Sequence, residues 1–125
     1  MHTAALPDAT DIARLLALGD DALATLPGAV QWRGDGGLPW PVYPPALDAF
    51  FTAASEPAWS APDYVPARCA EALADPSRVG GADLAELRRL LTFMVRGERF
   101  CDGHWGAMLS SGKLARWLDR LAQLA

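Results

Sequence analysis

One stretch of ten residues, RGERFCDGHW at positions 96–105, holds most of the chemically versatile side chains of this chain. Cys101 could supply a thiolate and His104 a base, with Glu98 or Asp102 orienting the imidazole, which is the logic of nucleophilic catalysis. Arg96 and Arg99 lie about one helical turn apart. Guanidinium groups beside exposed helix N–H groups bind carboxylate or phosphate, and His104 could donate to such an anion or shuttle a proton. Cys101, Asp102 and His104, joined by Glu98 or Cys69, are also metal-ligand types. Structural zinc, however, takes four Cys or His ligands, often in close pairs. The chain has no CxxC and only His2 as a second histidine, so no metal is expected.

Each of these readings has a plainer counterpart. Cysteine hydrolases usually place nucleophile and base on different elements, and a thiol following Phe100 is more often inert core. Arg96 or Arg99 could pair with Glu98, Asp102 or a carboxylate from the acidic N-terminal part. Asp102, acting as a helix cap, would occupy the very N–H groups an anion needs. On this structural reading Phe100, Cys101 and Trp105 are core and Gly97 and Gly103 are backbone requirements. His104 then hydrogen-bonds a buried carbonyl or carboxylate.

The elements that position these residues follow from the apolar spacing. Asp8 caps a helix over 8–26, with Ile12, Leu15, Leu16, Leu23 and Leu26 at helical intervals. Gly19-Asp20-Asp21 either divides it in two or is tolerated within one helix. The Pro- and Gly-rich segment 27–44 excludes a long regular element. It leaves room for a small hairpin near 29–43, with Trp32, Trp40 and Tyr43 anchoring it. Pro45 opens a helix to about Ala54, and Pro66 opens a shorter one through Leu73. Asp75-Pro76-Ser77 reads as a turn. Asp83 and Glu86 resemble a capping box at the start of the best helix, which carries Leu84, Leu87, Leu90, Leu91, Phe93 and Met94 and ends at Gly97. So broad an apolar face implies a helix surrounded by others. Asp102-Gly103 then caps a helix over His104–Ser111, and Gly112 separates it from a last one, Lys113–Leu124.

The run RGERFCDGHW and its flanks resemble a bacterial family catalogued as domain of unknown function 6508. The resemblance covers Leu90–Leu121 well. It extends more weakly to Pro-Val-Tyr-Pro at 41–44 and to Trp59 and Tyr64. It implies a helix ending in the LLT…VRGERFC run, a second helix beginning HW, and a short terminal helix. It implies no catalytic assignment, because the family has none to transfer.

Composition bounds the rest. The 125 residues are 51% hydrophobic and 21% charged, which suits one globular domain over 1–125, with the signature at 84–124. Residues 1–83 carry four arginines against eleven carboxylates, a balance of −7, whereas 84–125 carry seven cations against four carboxylates, or +3. A surplus that small, in an acidic chain, argues against nucleic acid. Two cysteines and the absence of a cleavable apolar leader point to the cytoplasm. No stretch reaches the roughly 20 apolar residues that span a membrane. No P-loop, dinucleotide fingerprint, HExxH or GxSxG occurs, and no cofactor is expected.

The expectation is therefore a mainly α domain of five to seven helices with an irregular loop. Its leading function is a non-enzymatic protein-interaction or regulatory module, presenting the C-terminal helices or the aromatic loop; a homodimer remains open. The alternative is a small anionic-ligand site (Arg96, Arg99, Asp102, His104) or a catalytic one (His104, Cys101, Glu98) on the 96–104 turn.

Overall fold

A computed structural model describes residues 6–26, 31–34 and 39–125. Among these, seven α-helices and a two-stranded ribbon gather round one apolar core.

Helix α1, Ala9–Leu23, begins at a reciprocal capping box: Asp8 and Asp11 each accept the other's backbone N–H, at 2.8 and 3.0 Å. It is one continuous helix through Gly19. A Cβ at Gly19 would lie 2.5 Å from Leu118 of the last helix, so the missing side chain is what lets the two helices close together. A glycine inside a helix costs about 1 kcal/mol relative to alanine, and here it is offset by packing.

Strands β1, Gln31–Arg33, and β2, Trp40–Val42, pair antiparallel with Trp32 opposite Pro41 and Arg33 opposite Trp40. This is the expected hairpin; residues 29–30 and 35–38 lie outside the described residues. Because directly opposed residues share a face, Trp32 and Trp40 project from opposite faces of the ribbon.

Helix α2, Pro45–Ala54, starts at a proline whose missing N–H is no loss at that position. It buries Leu47, Phe50 and Phe51 completely. A 3-10 turn, Pro57–Trp59, inserts Trp59 into the core. Helix α3, Pro66–Leu73, follows and buries Cys69. The expected turn at Asp75-Pro76-Ser77 is instead the start of a short helix, α4, Pro76–Gly80. Asp75 accepts both the backbone N–H and the hydroxyl of Ser77, which turns the break into a cap, and Val79 is buried.

Helix α5, Leu84–Gly97, is the centre of the molecule and touches α2, α3, α6 and α7. Asp83 accepts the Glu86 N–H at 2.8 Å. Leu87, Leu90, Leu91 and Met94 are fully buried. Two polar side chains on this helix are buried as well, and both fasten the segment that follows the 3-10 turn. Thr92 Oγ1 accepts the Ala61 N–H at 2.9 Å, and the Arg88 guanidinium donates to the Ser60 carbonyl at 2.8 Å. Helix α6, His104–Ser110, packs on α5 and α7. Helix α7, Lys113–Leu124, closes the core with Leu114, Trp117, Leu118 and Leu121, and Trp117 Nε1 donates to the Leu87 carbonyl at 2.9 Å. No described helix is long and apolar enough to cross a membrane.

Candidate functional site

The chain reverses between α5 and α6 over Glu98–Gly103. Phe100 and Cys101 both donate their N–H groups to the Gly97 carbonyl, at 3.1 and 3.0 Å, and Gly103 takes φ +89°. A Cβ there would be strained by conformation and would also meet the Trp32 indole at 2.7 Å. The hairpin thus lies on this turn, with Trp32 against the one residue that has no side chain to keep it away.

The turn folds Glu98 back over the start of α6. Its carboxylate accepts the N–H of Gly103 and of Trp105, both at 2.9 Å, and the Tyr43 hydroxyl at 2.8 Å. Glu98, rather than the expected Asp102, is therefore the cap of this helix; Asp102 is exposed. Distance along the chain misleads here, because the αL glycine directs the first N–H groups toward the residue five positions back. A carboxylate also suits the partial positive charge of a helix start. On the Tyr43 side, burial acts first and the hydrogen bond and charge of Glu98 second, and together they lift the phenol pKa well above its ordinary 10. Tyr43 keeps its proton and acts as a fixed donor. Its ring packs 5.6 Å from Trp105, which stacks on Phe51 at 4.6 Å and donates Nε1–H to the Val95 carbonyl at 3.1 Å.

His104 points into the packing rather than across the turn. Its ring lies edge-on to Phe93 at 5.3 Å and covers Gly97, where a Cβ would sit 2.3 Å from Nε2. Nε2 is buried without a hydrogen-bond partner. Desolvation pushes the imidazole pKa below its ordinary 6.5, although the Glu98 carboxylate pulls the other way and the Lys113 ammonium adds to the lowering. The His104 backbone N–H donates to the Cys101 carbonyl at 3.1 Å, but no hydrogen bond links the imidazole to Cys101, Glu98 or Asp102. The Cys101 thiol is exposed, and its nearest polar contact is the Asp102 carbonyl at 3.9 Å. The structure thus brings Glu98 to the start of α6 and leaves Cys101 and His104 facing different surroundings.

Of the three residues expected in the core, only Trp105 packs inward. Cys101 is exposed, and Phe100 is 85% exposed. The tight backbone hydrogen bonds that close the turn leave their side chains outside it. Trp32 and Trp40 are likewise 53% and 46% exposed, and among the described residues Tyr43 alone of the three expected anchors is fastened by its polar group.

Arg96 and Arg99 form no ion pair among the described residues; the ion pairs found join Arg14 to Glu56 and Arg89 to Asp63 and Glu86. The Arg96 guanidinium lies 5.2 Å above the Tyr64 ring and reaches Ser60 Oγ at 3.5 Å. Both arginines border a cleft between the end of α2 and the outer side of α5, on a different flank from the Glu98 cap. The partners Tyr43, Ser60, Tyr64 and Trp32 were not legible as such from spacing. Tyr43 and Tyr64 do fall in the stretches to which the family resemblance extends weakly. Among the described residues no three of His, Cys, Asp and Glu converge as a metal would require.

A family model, described as a family of unknown function (DUF6508), matches residues 8–125. The chain belongs to DUF6508. The match runs well beyond the 84–124 signature and includes α1, α2 and the hairpin, and with them Trp32, Tyr43 and Phe51, which touch the turn and the start of α6 from outside. No curated protein and no solved structure matches this DUF6508 chain.

Proposed function

We propose that this DUF6508 chain is a non-enzymatic protein-interaction module whose contact surface is centred on Phe100 and Trp32. The reading rests on one observation: the turn 98–103 directs Glu98 inward onto backbone N–H groups and Phe100 outward at 85% exposure. A turn of this kind stabilises a shape and displays an aromatic ring. Catalysis would need the opposite arrangement, with polar groups converging on open space.

Magnitudes support an anchor rather than a whole interface. Phe100 and Trp32, at their exposures, offer on the order of 300 Å² of aromatic surface. A stable interface takes about 800 Å² from each partner, within which a few aromatic or arginine residues carry most of the energy. The partner surface that fits is apolar.

Replacing Phe100 with a photo-crosslinking phenylalanine analogue in cells tests the reading. A discrete protein adduct at position 100, absent when the same analogue replaces Glu71 on α3, is expected. The purified partner should then bind the wild-type chain and lose at least tenfold in affinity to Phe100→Ser. No adduct specific to position 100, or equal affinity for that variant, would overturn it.

A further inference from the structure

We infer that the cleft between α2 and α5 is a binding site for a small oxyanion, a phosphate or carboxylate group, held by Arg96, Arg99 and Ser60. The cleft has a volume of about 110 Å³ and is lined by Ala54, Ser55, Ser60, Thr92, Val95 and the two arginines. It accommodates one oxyanion headgroup.

Charge makes the case first. The lining contains no carboxylate. The acidic residue beside Ser55 in sequence, Glu56, accepts two bonds from Arg14 at 2.9 Å, and Asp63 accepts one from Arg89 at 3.1 Å. What opposes an anion is the pair of helix ends at hand, the last turn of α5 and of α2. Each is equivalent to about half a negative charge. Two guanidinium groups exceed that sum by about one unit, so the cleft stays positive.

Geometry makes the case second. Arg96 is pre-set by the Tyr64 ring beneath it and by Ser60 Oγ, and a pre-ordered side chain loses less entropy on binding. The Ser55 hydroxyl is committed to the Phe51 carbonyl at 2.6 Å. Among the described residues the Ser60 hydroxyl only receives a contact from Arg96, so its proton is free to donate outward. Thr92 and Val95 supply a wall in which charge-assisted hydrogen bonds strengthen. A second cleft, between α4 and α7, combines Arg116 and Arg120 with Asp119 in its own lining, and its Arg120 already bonds the Ala82 carbonyl and Gln123.

Titrating the isotope-labelled chain with inorganic phosphate and separately with acetate, each against sodium chloride at matched ionic strength, tests the inference by NMR. Saturable shifts of the Arg96 and Arg99 Nε–H groups and the Ser60 amide are expected with at least one of the two anions, and whichever saturates names the headgroup. Arg99→Gln, which removes an exposed side chain with no ion-pair partner among the described residues, should leave the other resonances in place and weaken binding at least tenfold. Arg96→Lys keeps the charge and loses the planar fork, and should weaken it by at least fivefold. Shifts that grow linearly and match those with chloride would overturn the inference, as would affinity unchanged in Arg99→Gln.

Discussion

Glu98 accepts three hydrogen bonds, two from the start of α6 and one from Tyr43, and that count explains why a residue with catalytic credentials is structural here. Two of its donors are backbone N–H groups that α6 cannot satisfy internally, and the third is a phenol that burial keeps protonated. Glu98→Ala strands all three in a half-buried place and should destabilise the chain by roughly 2–3 kcal/mol in urea unfolding. A loss below about 1 kcal/mol would mean that water replaces the carboxylate. His104 makes a prediction of the opposite electrostatic kind. Its pKa is lowered in the folded chain, so the unfolded chain binds the proton more tightly. The stability it contributes is complete above 6.5 and is lost as pH falls from 6.5 toward the lower folded value. An NMR titration should place the imidazole midpoint below 6.5, and the unfolding free energy should rise with pH across that interval. A midpoint at or above 6.5 contradicts the burial account.

The turn, the ribbon and α6 behave as one element in three pieces. Gly103 is where they meet, because φ +89° sets the reversal and the absent side chain admits Trp32. Gly103→Ala meets both obstacles. The left-handed conformation alone costs roughly 1–2 kcal/mol for a residue with a Cβ, so the total destabilisation should reach about 2 kcal/mol or more. The substitution should also raise the emission wavelength and quenching of Trp32 fluorescence as the indole is pushed into water. An unchanged emission spectrum would show that the ribbon does not rest on the turn. The helix boundaries at Asp8, Pro45, Pro66, Asp83 and Gly97 could be read from the chain, because caps and prolines act locally on backbone groups. The cap of α6 could not, since it depends on where an αL residue aims its neighbours.

On the scale of the whole molecule, aromatic rings divide into two sets that the composition does not distinguish. Trp59, Trp117 and Trp105 fill or border the core, while Trp32, Trp40 and Phe100 face water. Trp105→Ala should therefore cost roughly 3–5 kcal/mol, whereas Phe100→Ser should stay within about 0.5 kcal/mol of wild type. Parallel thermal unfolding of the two variants checks the division, and a comparable loss in both would place Phe100 in the packing.

Local sequence was enough to show that the chain is mainly helical, where every described helix except α4 lies, that α5 is enclosed, that a small hairpin interrupts the helices, and that the chain resembles one particular family. Those properties follow from spacing, caps and a contiguous motif, all of which are local. It also marked 96–104 as the segment to examine. Only the tertiary structure decided what those residues do. Tyr43 and Glu98 are 55 positions apart, and Arg96 meets Ser60 from 36 positions away. Such pairings arise when α2 and the hairpin pack on α5. The fold turned Glu98 to the helix start, His104 to Phe93, Phe100 to solvent and the two arginines to a cleft on another flank.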